Sequence, residues 1–271
     1  MEAENLNLVE QDIFNIFKNT NLVLSTQKDF SPYNKVINTY LTNLINDSLV
    51  CNTHICNHCH NLMNKFCQCN LAESLRNISY KSEVEMEKFW GKKFSEISNI
   101  TYENLKDFWY FKQYENITAQ EKTLIDLCEN NIKKIAFVGS GSLPLTAVIL
   151  DYISKHEYEI DLVDLDIEAI EISKNYCSKI SLNLNFICSD CLEVDYSKYD
   201  LVFVASMIPC KKQLIEKIYN QDVQKIIVRD AEKLSQLFYT PVNFEDFGKY
   251  QVQKYISGNE MSINSSYLLT K

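Results

Sequence analysis

Residues 135–146 read IAFVGSGSLPLT, and this stretch decides the fold class. The apolar run at 135–138 is short enough for a strand that is buried on both faces. Gly139 and Gly141 follow it directly, where they allow a tight turn and a close backbone approach to a ligand. Pro144 then stands where the first turn of a helix tolerates a missing N–H. Strand, glycine turn and helix in this order indicate a nucleotide-binding α/β domain.

The residues after this turn continue to alternate between strand and helix patterns. Helical periodicity covers roughly 144–155 and 167–180. Apolar runs predict further strands, at residues 160–164, 185–188, 201–205 and 225–228. This alternation predicts a parallel, doubly wound, Rossmann-like sheet. The C-terminal tail, with its run at 266–269, suits late antiparallel strands.

The first part of the chain has a different pattern. Apolar residues recur at helical spacing from Val9 to Phe17, and helical patterns also fit 73–97 and 102–117. The sequence therefore predicts a helical N-terminal domain over residues 1–118. A Rossmann-like domain over residues 119–271 follows it.

Composition limits the partners of the protein. The net charge is −9 and the pI is about 5.1. An acidic surface repels phosphate backbones, which argues against nucleic acid and is compatible with small polar or cationic substrates. No run of 18 apolar residues predicts a membrane span, and the acidic N-terminus lacks the apolar core of a signal peptide. We expect a cytoplasmic protein with reduced cysteines. A homodimer is one of the oligomeric states that the sequence allows.

The glycine turn and two acids predict the cofactor. The third glycine of a dinucleotide fingerprint is absent, which disfavours NAD. Asp164 ends the second strand, 25 residues after Gly139 and close to the spacing of about 20 that is expected for an acid that accepts ribose hydroxyls. Asp190 follows the third strand, where a carboxylate meets an adenine amino group. Together they predict a site for S-adenosylmethionine (SAM), whose loop residues are Gly139, Ser140, Gly141, Leu143 and Pro144. The alternative is a Rossmann fold without a nucleotide, in which these acids are solvated.

Residues 51–69 hold five of the ten cysteines and three of the four histidines. Cys56 and Cys59 have the spacing of a metal chelate, and Cys67 and Cys69 would complete a four-sulfur set. In a reduced protein such a set indicates zinc first and an iron–sulfur cluster second. The alternative is a loop between helices that binds no metal, since the spacing is that of no standard zinc finger.

Residues 137–146 resemble a signature of the nicotianamine synthase family. That family includes plant, fungal and archaeal enzymes and bacterial relatives that make opine-type metallophores. The resemblance covers roughly residues 75–271. Three more segments are similar to it: the aromatic run 108–114, Arg229 with the block 237–241, and the closing strand at 264–268.

The resemblance implies an activity and its residues. These enzymes transfer the 3-amino-3-carboxypropyl group of SAM to an amine and release 5′-methylthioadenosine. Glu87 falls on the family's catalytic glutamate, which orients and deprotonates the amine, and Tyr114 on its active-site tyrosine. Glu83 lies one turn before Glu87 on the same face, so a shift of one turn would exchange the two. Tyr110, Arg229 and Glu83 are the implied substrate-binding residues.

The sequence also departs from the family pattern. Where the family carries a Gly and then a basic residue after Arg229, this chain has Lys233 and Ser235. Residues 208–211 look more like the opine-metallophore branch, which implies an amino acid such as histidine as acceptor. Two alternatives stay open. One is a SAM-dependent methyltransferase, although residues 206–209 lack an Asn/Asp-Pro-Pro-Tyr motif. The other is a non-catalytic, metal-binding regulatory protein.

Overall fold

The computed structural model describes residues 2–54, 59–128, 132–259 and 261–271. It divides the chain into two compact units. The first comprises Met1–Met86 and Ala231–Pro241. The second comprises Glu87–Asp230 and Val242–Lys271.

The first unit is helical, as its periodicity predicts. Its elements are α1 (Glu2–Ser25), α2 (Lys35–His54), α3 (Cys59–Gln68), the first part of α4 (Leu71–Ser95) and a 3-10 helix (Lys233–Leu237). Buried apolar side chains form its core, among them Phe17, Leu24, Leu44, Phe66 and Leu75. No helix within the described ranges is both long and apolar enough to cross a membrane.

The segment 231–241 joins this helical unit although it follows the last parallel strand in the chain. The side-chain amide of Asn52 donates a hydrogen bond to Ser235 Oγ at 3.0 Å. Arg76 Nε donates to the carbonyl of Gln236 at 2.7 Å. Side chains of α2 and α4 thus supply partners for a segment that has little regular structure of its own.

The second unit contains a seven-stranded sheet in the order β3-β2-β1-β4-β5-β7-β6. The strands are β1 (Lys134–Val138), β2 (Glu159–Asp164), β3 (Leu184–Cys188), β4 (Leu201–Val204), β5 (Lys225–Ala231), β6 (Gln251–Ile256) and β7 (Asn264–Thr270). The first five are parallel and β6 pairs antiparallel with β7. All four residues of β4 are buried, as expected for a strand covered on both faces. The predicted Rossmann-like α/β fold is confirmed, with the antiparallel tail completing a mixed sheet.

The helices of the second unit flank this sheet. They are α4 from Glu87 onward, α5 (Tyr102–Leu105), α6 (Phe111–Asp126), α7 (Leu145–Ile153), α8 (Ile167–Cys177) and α9 (Lys211–Asn220). The single helix predicted over 102–117 was wrong, because α5 and α6 are separate. The rings of Phe108 and Trp109 both pack on Trp90, with centroids 5.7 and 5.6 Å away. Both rings belong to the turn, residues 106–110, that separates the two helices.

The packing units differ in extent from the predicted domains. Residues 87–118 pack with the sheet and 231–241 with the helices. The division into a helical domain over residues 1–118 and a Rossmann-like domain over residues 119–271 stays a prediction.

Candidate active site

The turn after β1 requires its two glycines. Gly139 and Gly141 have φ values of +81° and +65°, where a side chain would be strained. The N–H groups of Gly139 and Ser140 both donate to the carbonyl of Val163, at 2.8 and 3.2 Å. The Ser140 hydroxyl is buried and has no hydrogen-bond partner among the residues that the structure describes. Buried polar atoms rarely stay unpaired, so this hydroxyl is suited to meet a bound ligand.

Asp164 holds the same turn from the end of β2. Its Oδ2 accepts a hydrogen bond from the Gly141 N–H at 2.8 Å, and its Oδ1 accepts one from the Asp166 N–H at 2.9 Å. A carboxylate offers about four lone-pair positions. Asp164, the predicted ribose-binding acid, therefore also stabilises the glycine turn through its hydrogen bond with Gly141.

Asp190 lies at the same edge of the sheet, exposed, just beyond β3. The neighbouring Ser189 N–H donates to the carbonyl of Asp164 at 3.0 Å, and Asp190 Oδ1 accepts from the Leu192 N–H at 2.8 Å. The two predicted cofactor acids thus stand at the carboxyl ends of adjacent strands, as the sequence predicts.

Leu143 and Pro144 end the loop. Leu143 is buried, and Pro144 is the N-cap residue of α7. The proline therefore stands one position earlier than the first helical turn in which the sequence placed it. The two residues fix the exit of the glycine turn into the helix.

Glu87 lies against this turn. Its side chain is nearly buried on α4. A Cβ atom placed on Gly141 would collide with Glu87 Oε2 and lie 3.2 Å from Glu87 Cδ. The predicted catalytic carboxylate and the predicted cofactor loop are therefore in direct contact, and the second glycine is what leaves room for the acid.

Two lysines fasten this part of α4 to α8. Lys88 Nζ is 2.8 Å from Asp166 Oδ2 and 2.6 Å from Glu168 Oε2, and Lys92 Nζ is 2.8 Å from Glu168 Oε1. Hydrogen bonds from Lys88 and then Lys92 lower the pKa of Glu168 to about 2. Hydrogen bonds to Asp166 and Glu168 raise the pKa of Lys88. The sequence analysis missed these contacts, although two lysines at i and i+4 are their local signal.

Tyr114 and Tyr110 lie on and just before α6. Both are half-buried, and their rings lie edge-on to Phe108 with centroids 6.0 and 5.9 Å away. The fully buried Tyr176 lies within electrostatic range of both Tyr114 and Glu87. Burial and then Cys177, followed by Glu87 and Tyr114, raise the pKa of Tyr176 well above its usual value. The structure thus brings Glu87 and Tyr114 within electrostatic range of one hydroxyl group.

Glu83 has a different setting. It belongs to the helical unit, where Glu83 Oε2 accepts a hydrogen bond from the Tyr239 hydroxyl at 2.9 Å. Tyr239 comes from the block 237–241 that carries part of the family resemblance. This favours Glu87 over Glu83 as the acid that meets the cofactor loop.

Arg229 lies in a buried ion pair. Its Nε and Nη2 donate to the two carboxylate oxygens of Glu121 at 2.7 Å each, and Nη2 also donates to Thr146 Oγ1 at 2.7 Å. Ser266 Oγ donates to Glu121 at 2.8 Å. Such a bidentate pair ties α6, α7, β5 and β7 together. The role of Arg229 in binding substrate stays a prediction, and sequence reasoning missed Glu121, an isolated acid on α6.

Two of the four cysteines predicted to bind one zinc ion, Cys59 and Cys67, are too far apart to share it. Cys59 and Cys67 lie eight residues apart on the continuous helix α3, which separates them by about 12 Å along its axis. Zinc holds each sulfur at about 2.3 Å, so one ion cannot bind both. Cys59 is buried, whereas Cys67 and Cys69 are exposed. Cys56 lies outside the described residues. Among those that are described, no group of three His, Cys, Asp or Glu side chains could hold a metal ion.

The chain is similar to curated nicotianamine synthases. The nicotianamine synthase of Solanum lycopersicum is 27% identical over 221 residues, which span 75% of this chain and 69% of that protein. Nicotianamine synthase 1 of Arabidopsis thaliana is 24% identical over 284 residues, which span 98% of this chain and 84% of that protein.

Two crystal structures share the fold. A mutant of MtNAS in complex with S-adenosylmethionine superimposes with a TM-score of 0.80 at 17% identity, covering 95% of this chain and 97% of that one. MtNAS in complex with MTA and tNA has a TM-score of 0.80 at 17% identity, covering 96% and 97%. The family model described as "Nicotianamine synthase protein" matches residues 2–271. The chain therefore belongs to the nicotianamine synthase family, whose members are SAM-dependent transferases.

Proposed function

We propose that this protein transfers the 3-amino-3-carboxypropyl group of SAM to an amine and releases 5′-methylthioadenosine. One observation carries the proposal. The Glu87 carboxylate packs against Gly141, the residue whose N–H is held by Asp164. A proton acceptor thus stands beside the loop that would hold SAM, whereas a solvated helix acid would point away from it.

The residues of the loop are suited to SAM. Gly139 and Gly141 provide the positive φ values of a tight turn, and the buried Ser140 hydroxyl lacks a partner among the described residues. Asp164 and Asp190 stand at the adjacent strand ends where a ribose and an adenine bind in Rossmann-like folds. That MtNAS, a protein of the same fold, has been crystallised with SAM supports this ligand.

The sulfonium of SAM supplies an activated carbon and a good leaving group. The amine lone pair forms the new C–N bond as the C–S bond breaks, and the electron pair of the C–S bond stays on the sulfur of methylthioadenosine. The nitrogen then carries one proton too many. Glu87 accepts that proton, which is general-base catalysis worth typically 10²–10⁴-fold. Tyr114 and Tyr110 would orient the acceptor, since in-line geometry is the other requirement of the displacement.

The acceptor and product extend the proposal. The likeness of residues 208–211 to the opine-metallophore branch supports a free amino acid such as histidine as acceptor. The product would then be a metal-chelating metallophore. An acceptor derived from a second SAM molecule would give a nicotianamine-type product instead.

A product assay tests the function. The purified protein is incubated with SAM alone, with SAM and histidine, and with SAM and a panel of other amino acids. Methylthioadenosine that appears only with an amino acid supports that acceptor. Methylthioadenosine from SAM alone supports the nicotianamine-type reaction. S-adenosylhomocysteine would show a methyltransferase, and the absence of both nucleosides would leave a non-catalytic protein.

A further inference from the structure

Gly91 is the point at which α4 comes closest to the rest of the second unit. It is buried, and it lies in the interior of a 25-residue helix, where glycine destabilises the helix relative to alanine. A Cβ atom added there would collide with Ile172 Cγ2 and lie 2.9 Å from the backbone carbonyl oxygen of Ser142. The glycine therefore has a packing role that alanine could not take over.

The surrounding contacts show how α4 lies along α8. Lys88, before Gly91, and Lys92, after it, both form ion pairs at the N-terminus of α8. Further along α4, Phe94 packs on Tyr176 with centroids 5.9 Å apart, and Lys179 Nζ donates to the Ser95 carbonyl at 2.6 Å. These contacts hold α4 along α8, and the close approach at Gly91 sets how near α4 lies to Ile172 and Ser142.

The same face of α4 carries the proposed base. Glu87 precedes Gly91 by four residues, so the two lie one above the other. Glu87 meets Gly141 and Gly91 meets Ser142, the next residue of the loop. Gly91 on the helix and Gly141 in the loop each lack a Cβ atom that would hold the helix and the loop apart.

We propose that Gly91 is a positioning residue for the transfer reaction, because it sets the distance between the Glu87 carboxylate and the glycine turn. This inference rests on the proposed function of Glu87. Gly91 touches no reacting atom, and it acts through Glu87 alone.

The substitution Gly91→Ala tests the inference. The loop is tied to β2 by the hydrogen bonds to Val163 and Asp164, so we expect the new methyl group to push α4 away from the loop. The carboxylate then recedes from the turn. A displacement of this kind costs about 10- to 100-fold in kcat for methylthioadenosine release, while the Kd for SAM stays within about threefold. An equal loss of SAM affinity and kcat, or an unchanged kcat, would overturn the assignment.

A matched substitution separates positioning from general damage to the fold. Gly248 has a positive φ, of +61°, whereas Gly91 is helical. A Cβ atom added to Gly248 would meet nothing within 4 Å. Gly248→Ala introduces backbone strain without approaching α4, so it should lower the melting temperature and leave kcat unchanged. A comparable loss of kcat in both variants would mean that Gly91 acts through stability.

A double-mutant cycle decides whether Gly91 acts through Glu87. When Glu87→Gln has already removed the base, adding Gly91→Ala should change the residual rate by less than about twofold. Additive losses would refute the positioning role. A fully active Glu87→Gln variant would instead refute the proposed base, so the two failures are distinguishable.

Discussion

Glu83 and Glu87 stand one turn apart on α4, yet the structure gives them different surroundings. Glu83 belongs to the helical unit and accepts a hydrogen bond from Tyr239. Glu87 belongs to the sheet unit and packs against Gly141. Two acids that share a helix face in sequence thus meet a tyrosine in one case and a cofactor loop in the other.

The partners of the two acids, which their spacing in the sequence does not reveal, are the reason for proposing Glu87 rather than Glu83 as the base. A hydrogen bond from a tyrosine holds a carboxylate in place but gives it no reacting group. Contact with a glycine turn of φ +65°, which is itself held by Asp164, places a carboxylate beside the proposed SAM-binding loop.

The largest effect is expected from Glu87→Gln. The amide keeps the shape of the side chain but cannot accept a proton, so methylthioadenosine release should fall at least about 100-fold. SAM affinity, measured by calorimetry, should stay within about twofold. Glu83→Gln is the matched control, with an expected loss below about tenfold. The opposite order of the two variants would show that the assignment is displaced by one helical turn.

The next effect concerns the acid that holds the turn. Asp164→Ala removes the partner of the Gly141 N–H and the predicted acceptor of the ribose hydroxyls. Hydrogen bonds to a charged group contribute about 1.5–3 kcal/mol each, so SAM affinity should weaken at least about tenfold. Asp195→Ala, at an exposed acid that pairs with Ser197, should leave the affinity unchanged. An unchanged affinity in Asp164→Ala would place the ribose acid elsewhere.

Several features of the fold and of the candidate site could be predicted from the sequence alone. The strands were predictable because all-apolar runs such as 135–138 and 201–204 can only be buried on both faces. The glycine turn and Asp164 were predictable because a parallel sheet gathers the ends of its strands at one edge. In these cases local pattern and fold impose the same constraint.

Other features depended on long-range contacts that no local pattern contains. The cysteine spacing suggested a metal chelate. It did not reveal that Cys59 and Cys67 lie about two turns apart on one helix, α3. The pairing of Arg229 with Glu121 joins residues more than one hundred positions apart. The choice between Glu83 and Glu87 likewise required knowing which loop each one meets.

A smaller effect is expected at the partner of Glu83. Tyr239→Phe removes the hydrogen bond to Glu83 Oε2, so the free energy of unfolding should fall by about 1–2 kcal/mol. Urea titration measures the change. The same substitution should leave kcat for methylthioadenosine release within about threefold. A loss of kcat as large as that of Glu87→Gln would erase the distinction between the two acids.

The smallest effect concerns the ion pairs that hold the Glu87 end of α4. Hydrogen bonds from Lys88 and Lys92 lower the pKa of Glu168 to about 2, from an ordinary value of 4.5. A group whose folded pKa is lowered contributes stability that is fully present above 4.5 and is lost as the pH falls towards 2. The Glu168 side chain is 47% exposed, so solvent screening limits its contribution to less than about 1 kcal/mol.

Glu168→Gln should therefore destabilise the protein slightly at pH 7. The difference in the free energy of unfolding from the wild type should shrink at pH 3.5. It should also shrink in 1 M salt, where charges are screened over about 3 Å. A difference that is the same at both pH values would mean that Glu168 acts by packing, and that the lysines do not hold Glu87 in place by charge.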